Sequence, residues 1–104
     1  MIRSVLTLRT TPENAERILE LYRDQEILKE SMELTRSLGS DIAVATDGSG
    51  EVVVTALWPD EAGYQEWLDH PKRGRTAPEL SQLISGAEIG VGRLYLIDHN
   101  VSRG

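Results

Sequence analysis

The chain has 104 residues, 39% of them hydrophobic and 27% charged, which is the composition of a folded globular domain. Its formal net charge of -6 argues against nucleic-acid binding, because phosphate recognition requires a basic surface. The same charge gives no reason to expect docking on an anionic membrane. The lack of cysteine excludes disulfides, thiolate nucleophiles and iron–sulfur clusters.

The length predicts one domain over residues 1–104, because a second core would need a longer chain. No apolar stretch approaches the ~20 residues of a membrane-spanning helix. The first residues are not followed by the apolar segment of a signal peptide, so we expect a cytoplasmic protein.

The first part of the chain predicts a strand and then a long helix. Residues 2–9 are rich in β-branched and aliphatic types, as in a strand. Residues 10–13 carry the signals of a helix start, with a threonine cap, a proline and an acidic first turn. The pattern predicts one helix from there to Gly39. Its apolar stripe consists of Ala15, Ile18, Leu19, Tyr22, Leu28 and Met32.

The next part predicts a β-hairpin and a second helix. Residues 41–46 and 51–58 have strand composition, and the turn sequence Asp47-Gly48-Ser49-Gly50 joins them. A helix then starts after Pro59-Asp60 and ends at His70-Pro71. Its apolar face carries Tyr64, Trp67 and Leu68.

The last part predicts a short helix and a final strand. Residues 76–79, Thr-Ala-Pro-Glu, resemble a capping box, and Gly86 closes the helix that follows. Residues 88–97 form the last strand. Within that strand, Gly90 and Gly92 indicate a bulge or a close approach of a partner chain.

This order, β-α-β-β-α-β, predicts an α+β fold of the ferredoxin-like type, in which both helices cover one face of a four-stranded antiparallel sheet. The strand at 51–58 is apolar on both sides. Val52, Val54, Ala56 and Trp58 share one side, whereas Val53, Thr55 and Leu57 share the other. Because helices cover only one face, we expect a second copy of the chain to cover the other, which gives a homodimer.

Residues 51–71 resemble the central block of the antibiotic biosynthesis monooxygenase family. The shared features are a strand ending in Trp58, an acidic turn, and a helix with Tyr64 and Trp67 before Pro71. The resemblance implies a dimeric α/β barrel with a hydrophobic aromatic, polyketide-type ligand between sheet and helices. It also implies oxidation of anthrone-type phenols to quinones by molecular oxygen, with no metal or organic cofactor.

The resemblance implies catalytic roles for two side chains. The Trp58 indole would donate to a substrate oxygen, and the Tyr64 hydroxyl would exchange hydrogen bonds with the reacting phenol. We add Tyr22, Trp67, His70 and Arg93 as candidate substrate-binding residues. For the aromatic residues the alternative is core packing. Arg93 either holds an anionic substrate or pairs with an acidic group at the dimer interface.

The sequence departs from the family pattern at two places. Val54 stands where quinone-forming members have an asparagine, and residues 77–81 lack the basic residue expected there. The alternatives are therefore a non-oxidative polyketide cyclase, a ligand-binding accessory protein, or a structural dimer without a ligand. A haem-degrading branch of the fold is excluded, because Ala77 replaces its histidine and the first strand has no asparagine.

Overall fold

The computed structural model describes residues 1–75, 77–83 and 92–103. Its strands are β1 (Ile2–Arg9), β2 (Gly39–Val44), β3 (Glu51–Trp58) and β4 (Arg93–Leu96). Its helices are α1 (Pro12–Asp24), α2 (Ile27–Leu34), α3 (Glu61–Asp69) and α4 (Ala77–Leu83), with a 3-10 turn at Pro71–Gly74. No helix among the described residues is long and apolar enough to cross a membrane.

The strands form one antiparallel sheet in the order β2-β3-β1-β4. The register places Ile2 opposite Trp58 and Leu8 opposite Val52. All four side chains are buried under the helices. The fold is therefore α+β and ferredoxin-like, and this prediction is confirmed.

The helix starts follow the capping signals of the sequence. The Thr11 hydroxyl accepts a hydrogen bond from the Asn14 amide at 3.2 Å, and Pro12 occupies the first helical position. The Asp60 carboxylate caps α3 by accepting from the Gly63 amide at 2.8 Å. Three predictions lie outside the described residues: the cap at Thr76, the helix end at Gly86, and the strand portion at 88–91.

The prediction of one helix up to Gly39 is wrong. Two helices, α1 and α2, replace it, and the break between them lies at Glu26, whose backbone is left-handed with φ of 50°. Such a conformation costs a non-glycine residue about 1–2 kcal/mol. After α2 the chain is extended, and Gly39 is the first residue of β2 rather than a helix stop. β2 therefore starts and ends two residues earlier than the predicted range 41–46.

The phase of the apolar residues explains the break. The positions one turn beyond Tyr22 hold Gln25 and Glu26, so an uninterrupted helix would turn polar groups toward the core. Breaking the helix there lets Leu28 pack against the core in a new phase. Met32, predicted on the same stripe, is 47% exposed for this reason.

The side chains buried between sheet and helices form two separate clusters. One contains Leu8, Ala15, Ile18, Tyr22, Val52 and Leu80. The other contains Ile2, Ala56, Trp58 and Tyr64. The clusters lie toward opposite ends of β1 and β3, so the middle of the sheet–helix interface is left between them.

The predicted hairpin turn is confirmed, and it packs against the start of α1 through Gly50. Gly50 has φ of 86°, and a Cβ there would lie 2.7 Å from the Thr11 carbonyl carbon and 2.8 Å from the Pro12 nitrogen. Gly48 in the same turn has φ of 77° but nothing within 4 Å of a Cβ. The two glycines thus share a backbone conformation and differ in packing.

This difference predicts unequal losses of stability. Gly48→Ala should lower the free energy of unfolding by about 1–2 kcal/mol, which is the cost of the left-handed backbone. Gly50→Ala should lower it by roughly 3–5 kcal/mol, because the added methyl group also meets backbone atoms that cannot move aside. Urea denaturation of both variants measures the difference, and equal losses would contradict the packing argument.

Candidate functional site

A cavity of about 170 Å³ lies between the helices and the sheet, bordered by both core clusters. Side chains of β1, β2 and β3 form its floor: Ser4, Leu6, Ser40, Val54, Ala56 and Trp58. The helices and the 3-10 turn supply the other walls. A cleft of this kind, lined mainly by apolar groups with a few polar ones, is the usual form of a small-molecule site.

A row of small side chains across the sheet makes room for the cavity. Ser40 pairs with Ala56, and Ala56 pairs with Ser4 on its other side. The adjacent rows hold larger residues, with Leu6 opposite Val54 and Ile2 opposite Trp58. Because these small residues cannot reach the helices, the helix–sheet interface stays unfilled above them.

The Trp58 indole does not point its N–H at the cavity as a free donor. Its Nε1 donates to the Ser4 hydroxyl at 3.0 Å, and both side chains are buried. The direct Trp58–substrate hydrogen bond implied by the family resemblance stays a prediction, and the group that the indole contacts in this structure is Ser4. A hydroxyl that accepts one hydrogen bond keeps its own hydrogen to donate, so Ser4 is the donor at this position of the floor.

Tyr64 lines the cavity beside Trp58, with ring centroids 5.4 Å apart and an angle of 54° between the planes. Its hydroxyl accepts from the Gly92 amide at 2.7 Å. A Cβ on Gly92 would lie 2.9 Å from that oxygen and 3.2 Å from the Val5 carbonyl oxygen. The close approach predicted for Gly92 is thus made within the chain, by Tyr64 and β1.

Tyr22 and Arg73 both line the cavity. Burial raises the pKa of the Tyr22 hydroxyl, and the nearby Arg73 guanidinium acts in the opposite direction and lowers it. Burial dominates, so Tyr22 is a neutral hydrogen-bond donor at neutral pH.

Of the candidate residues named from the sequence, Trp58, Tyr64, Tyr22 and Trp67 line the cavity. His70 lies just behind Trp67, with ring centroids 6.0 Å apart, and its Nδ1 accepts from the Lys72 amide at 3.2 Å. Arg93 is on the opposite face of the sheet, paired with Val5. Its guanidinium carbon lies 5.5 Å from the Tyr95 ring centroid, so the structure does not bring it to the cavity.

Sequence reasoning missed most of the cavity lining, and Arg73 and Ser4 matter most among the polar residues it missed. Arg73 supplies a positive charge two residues after Pro71, whereas the sequence comparison looked for one at residues 77–81. Ser4 was passed over because it is a small polar residue in an apolar strand. Its position could have indicated its role, because it shares the buried face of β1 with Ile2 and Leu8. A polar group buried there needs a hydrogen-bond partner.

The polar side-chain groups of the described lining residues are hydroxyls, the two indole N–H groups and one guanidinium. The described lining residues include no carboxylate and no imidazole. Within the described ranges, no group of three or more His, Cys, Asp or Glu residues is placed to hold a metal ion. The arrangement suits a ligand with an apolar ring and an oxygen that carries negative charge.

No protein-family model matches the chain, and no curated protein matches it. Solved structures share its fold. A Deinococcus radiodurans protein provisionally named an antibiotic biosynthesis monooxygenase aligns over 100% of this chain and 99% of its own, with 16% identity and a TM-score of 0.76. A Streptomyces coelicolor monooxygenase, from the gene ActVA-Orf6 and solved with nanaomycin D, covers 99% and 91%, with 20% identity and a TM-score of 0.72.

An uncharacterised NIPSNAP domain protein of Burkholderia xenovorans also has this fold, covering 99% of this chain and 100% of its own, with 17% identity and a TM-score of 0.69. At such identities the likeness establishes the fold. The chain has the fold of the antibiotic biosynthesis monooxygenases, and the resemblance of residues 51–71 is confirmed at that level.

The Trp58–Ser4 hydrogen bond predicts unequal effects at two buried serines of the cavity wall. Ser4→Ala leaves the buried indole N–H without a partner and should lower the free energy of unfolding by about 1–3 kcal/mol. Ser31 is 5% exposed, and its hydroxyl donates to the Leu28 carbonyl within α2. Ser31→Ala removes a donor and should cost less, on the order of 1 kcal/mol or below. Chemical denaturation of both variants measures this, and equal losses would contradict it.

Proposed function

We propose that the protein binds a small electron-rich phenol in the cavity and oxidises it to a quinone with molecular oxygen, without a metal or flavin. The observation that carries this proposal is the Arg73 guanidinium at the wall of the cavity, among apolar side chains and hydroxyls. A nearby cation favours the phenolate form of a bound phenol, whereas burial opposes it. At Tyr22 burial outweighs Arg73 and the pKa is raised, so the proposal requires the bound phenol to lie closer to the guanidinium or to be more acidic than tyrosine.

Binding as the phenolate is the step to which the protein contributes most. The phenolate oxygen lies near Arg73, and the hydroxyls of Tyr22, Tyr64 and Ser4 are available as donors around the ring. The phenol proton leaves to water, since no described lining residue is a carboxylate or an imidazole. Fixed donors in a cavity with little water stabilise the charge without reorganisation.

The oxidation itself uses electrons of the substrate. A phenol with a free para C–H, or an anthrone with its CH₂ group, loses four electrons in becoming a quinone. Molecular oxygen accepts those four electrons: one oxygen atom becomes the new carbonyl oxygen and the other leaves as water. The phenolate is the electron-rich form that passes the first electron to oxygen, so its stabilisation accelerates the reaction.

The size of the cavity favours a ligand of one or two rings. Pockets for drug-sized ligands typically have about 300–1,000 Å³, and a cavity of ~150 Å³ can hold benzene. This cavity has about 170 Å³, which is close to the volume that holds benzene and below that of a drug-sized pocket. The Streptomyces coelicolor monooxygenase of this fold was solved with nanaomycin D, which supports a small-molecule ligand here. We expect a smaller relative of such compounds here.

A second candidate function is ligand binding without oxidation, either as an accessory protein or as a cyclase. It is favoured by Val54, which places an apolar group on the floor where quinone-forming proteins of this fold have an asparagine. Binding requires the cavity and its donors, whereas oxidation also requires stabilisation of the phenolate. Turnover therefore separates the two functions.

Oxygen consumption tests the oxidation. Metal-free protein should consume one molecule of oxygen per quinone formed, faster with 1-naphthol than with the larger anthrone. Tyr64→Phe and Trp58→Phe should lower the rate by about 10- to 1000-fold, because the first removes a donor and the second removes the group that positions the Ser4 hydroxyl. Arg73→Met should shift the rate–pH profile toward higher pH, because the bound phenol then has a higher pKa.

Lys72→Met is the matched control for Arg73→Met, since Lys72 is exposed and does not line the cavity. It should leave both the rate and the profile unchanged. Oxygen uptake equal to the uncatalysed rate with both substrates would overturn the oxidation. Retained binding of 1-naphthol in that case would support the ligand-binding function.

We also propose that the chain forms a homodimer through the bare face of the sheet. The centre of that face is apolar and half-buried, with Val5, Val53 and Leu57 on neighbouring strands. Charged side chains surround it, namely Arg3, Arg9, Asp41 and Arg93. An apolar centre with a charged rim is the usual anatomy of a protein interface.

Sedimentation velocity tests the dimer. The wild type should sediment as a dimer at micromolar concentration, and Val53→Arg should convert it to a folded monomer, because an arginine cannot be buried unpaired at the centre of the face. Glu20→Arg, at an exposed position of α1, is the control and should leave the dimer intact. A stable wild-type monomer would contradict the proposal.

A further inference from the structure

We propose that Arg75 is a positioning residue that holds two walls of the cavity together, by tying the turn that carries Arg73 and Gly74 to the junction between α1 and α2. The group formed by Arg75, Gln25 and Glu30 is called the Arg75 clasp below. The inference rests on the proposed role of the cavity as a ligand site, and it adds how access to that site is restricted.

The guanidinium of Arg75 uses all of its nitrogen atoms in the clasp. Nε donates to Glu30 Oε1 at 2.9 Å, and Nη1 donates to Gln25 Oε1 at 2.9 Å. Nη2 donates to the backbone carbonyl of Gln25. The planar fork of arginine can make these bonds together, whereas the single ammonium of lysine cannot reproduce their geometry.

The clasp joins two walls of the cavity that are far apart in sequence. Arg73 and Gly74, directly before Arg75, form one wall. Ile27, Leu28 and Ser31 of α2 form another, next to Gln25 and Glu30. The partners are 45 and 50 residues apart, so no local backbone bond duplicates the connection.

α2 depends on such a tie because it is weak by itself. It has eight residues, follows the left-handed Glu26, and has no side-chain cap at its N-terminus. Isolated helices of this length are not stable in water, so tertiary contacts determine where α2 lies. Bonds from Arg75 to both a side chain and the backbone of Gln25 hold the segment at which α2 begins.

A second arginine cluster offers a matched comparison. Arg36 contacts Glu66 at 2.7 Å and Asp60 at 3.3 Å, and none of these residues lines the cavity. The Arg36 and Glu66 side chains are 51% and 49% exposed, whereas Arg75 and Glu30 are 31% and 23% exposed. The clasp is thus the better shielded of the two pairs, and its loss should have the larger effect.

The distinguishing measurement is the rate at which a ligand enters and leaves. A wall held in place slows entry and release alike, so Arg75→Ala should raise both rate constants for 1-naphthol by roughly three- to tenfold, as expected for losing three partly exposed hydrogen bonds that are each screened by solvent. Its Kd should change little. The fluorescence of Trp58 and Trp67, the two tryptophans of the chain, reports binding in stopped flow because both line the cavity.

Acrylamide quenching of the same fluorescence tests the clasp without any ligand. Acrylamide should reach Trp58 and Trp67 more readily in Arg75→Ala than in the wild type. Arg75→Lys should fall between them, because lysine keeps the charge and loses the fork. In Arg36→Ala, acrylamide should quench the tryptophan fluorescence as much as in the wild type, although this variant also loses an ion pair.

These outcomes separate the clasp from the proposed function. If 1-naphthol does not bind the wild type, the proposed ligand class fails, and acrylamide quenching still decides the clasp. Unchanged quenching in Arg75→Ala would overturn the clasp. Weaker binding of 1-naphthol through faster release alone would also overturn it, since Arg75 would then stabilise the bound ligand rather than hold the cavity walls together.

Discussion

The hydrogen bond from the Trp58 indole to Ser4 is the constraint on which the site depends. Trp58 is the largest fully buried side chain among the described residues, and its N–H requires a partner once it is removed from water. β1 supplies that partner with a serine, which is small and polar. The same choice leaves space above the sheet and places a hydroxyl on the cavity floor. The requirement of the Trp58 N–H for a partner thus determines both the space above the sheet and the hydroxyl on the cavity floor.

The charge inside the cavity differs from the charge of the whole chain. Acidic residues outnumber basic ones, and the net charge is -6. The described lining nevertheless has a guanidinium and no carboxylate. Several of the acidic residues pair with arginine on the surface, as Glu66 and Asp60 do with Arg36. The overall charge of the chain therefore does not describe the composition of the cavity wall.

The sequence was sufficient to predict those features that depend on neighbouring residues. The caps at Thr11 and Asp60, the glycine turn and the alternating faces of β3 all follow from local chemistry. The helix break at Glu26 was also visible, because polar residues occupy the positions where the apolar stripe would continue. The break was not predicted, because Leu28 was assigned to the same apolar stripe as Tyr22.

The features that sequence could not supply depend on register between distant segments. Ser4 and Trp58 meet because β1 and β3 pair in one particular register, and a shift by two residues would give the indole a different partner. Arg73 reaches the cavity because a 3-10 turn replaces further helix after α3.

The cavity also has an energetic implication. The small side chains beneath it make fewer packing contacts than larger ones would, and lost packing contacts lower stability. Larger residues in the row formed by Ser40, Ala56 and Ser4 would remove much of this loss. The chain instead keeps the row small and places polar donors around the space, which is the arrangement expected where binding a ligand takes precedence over packing.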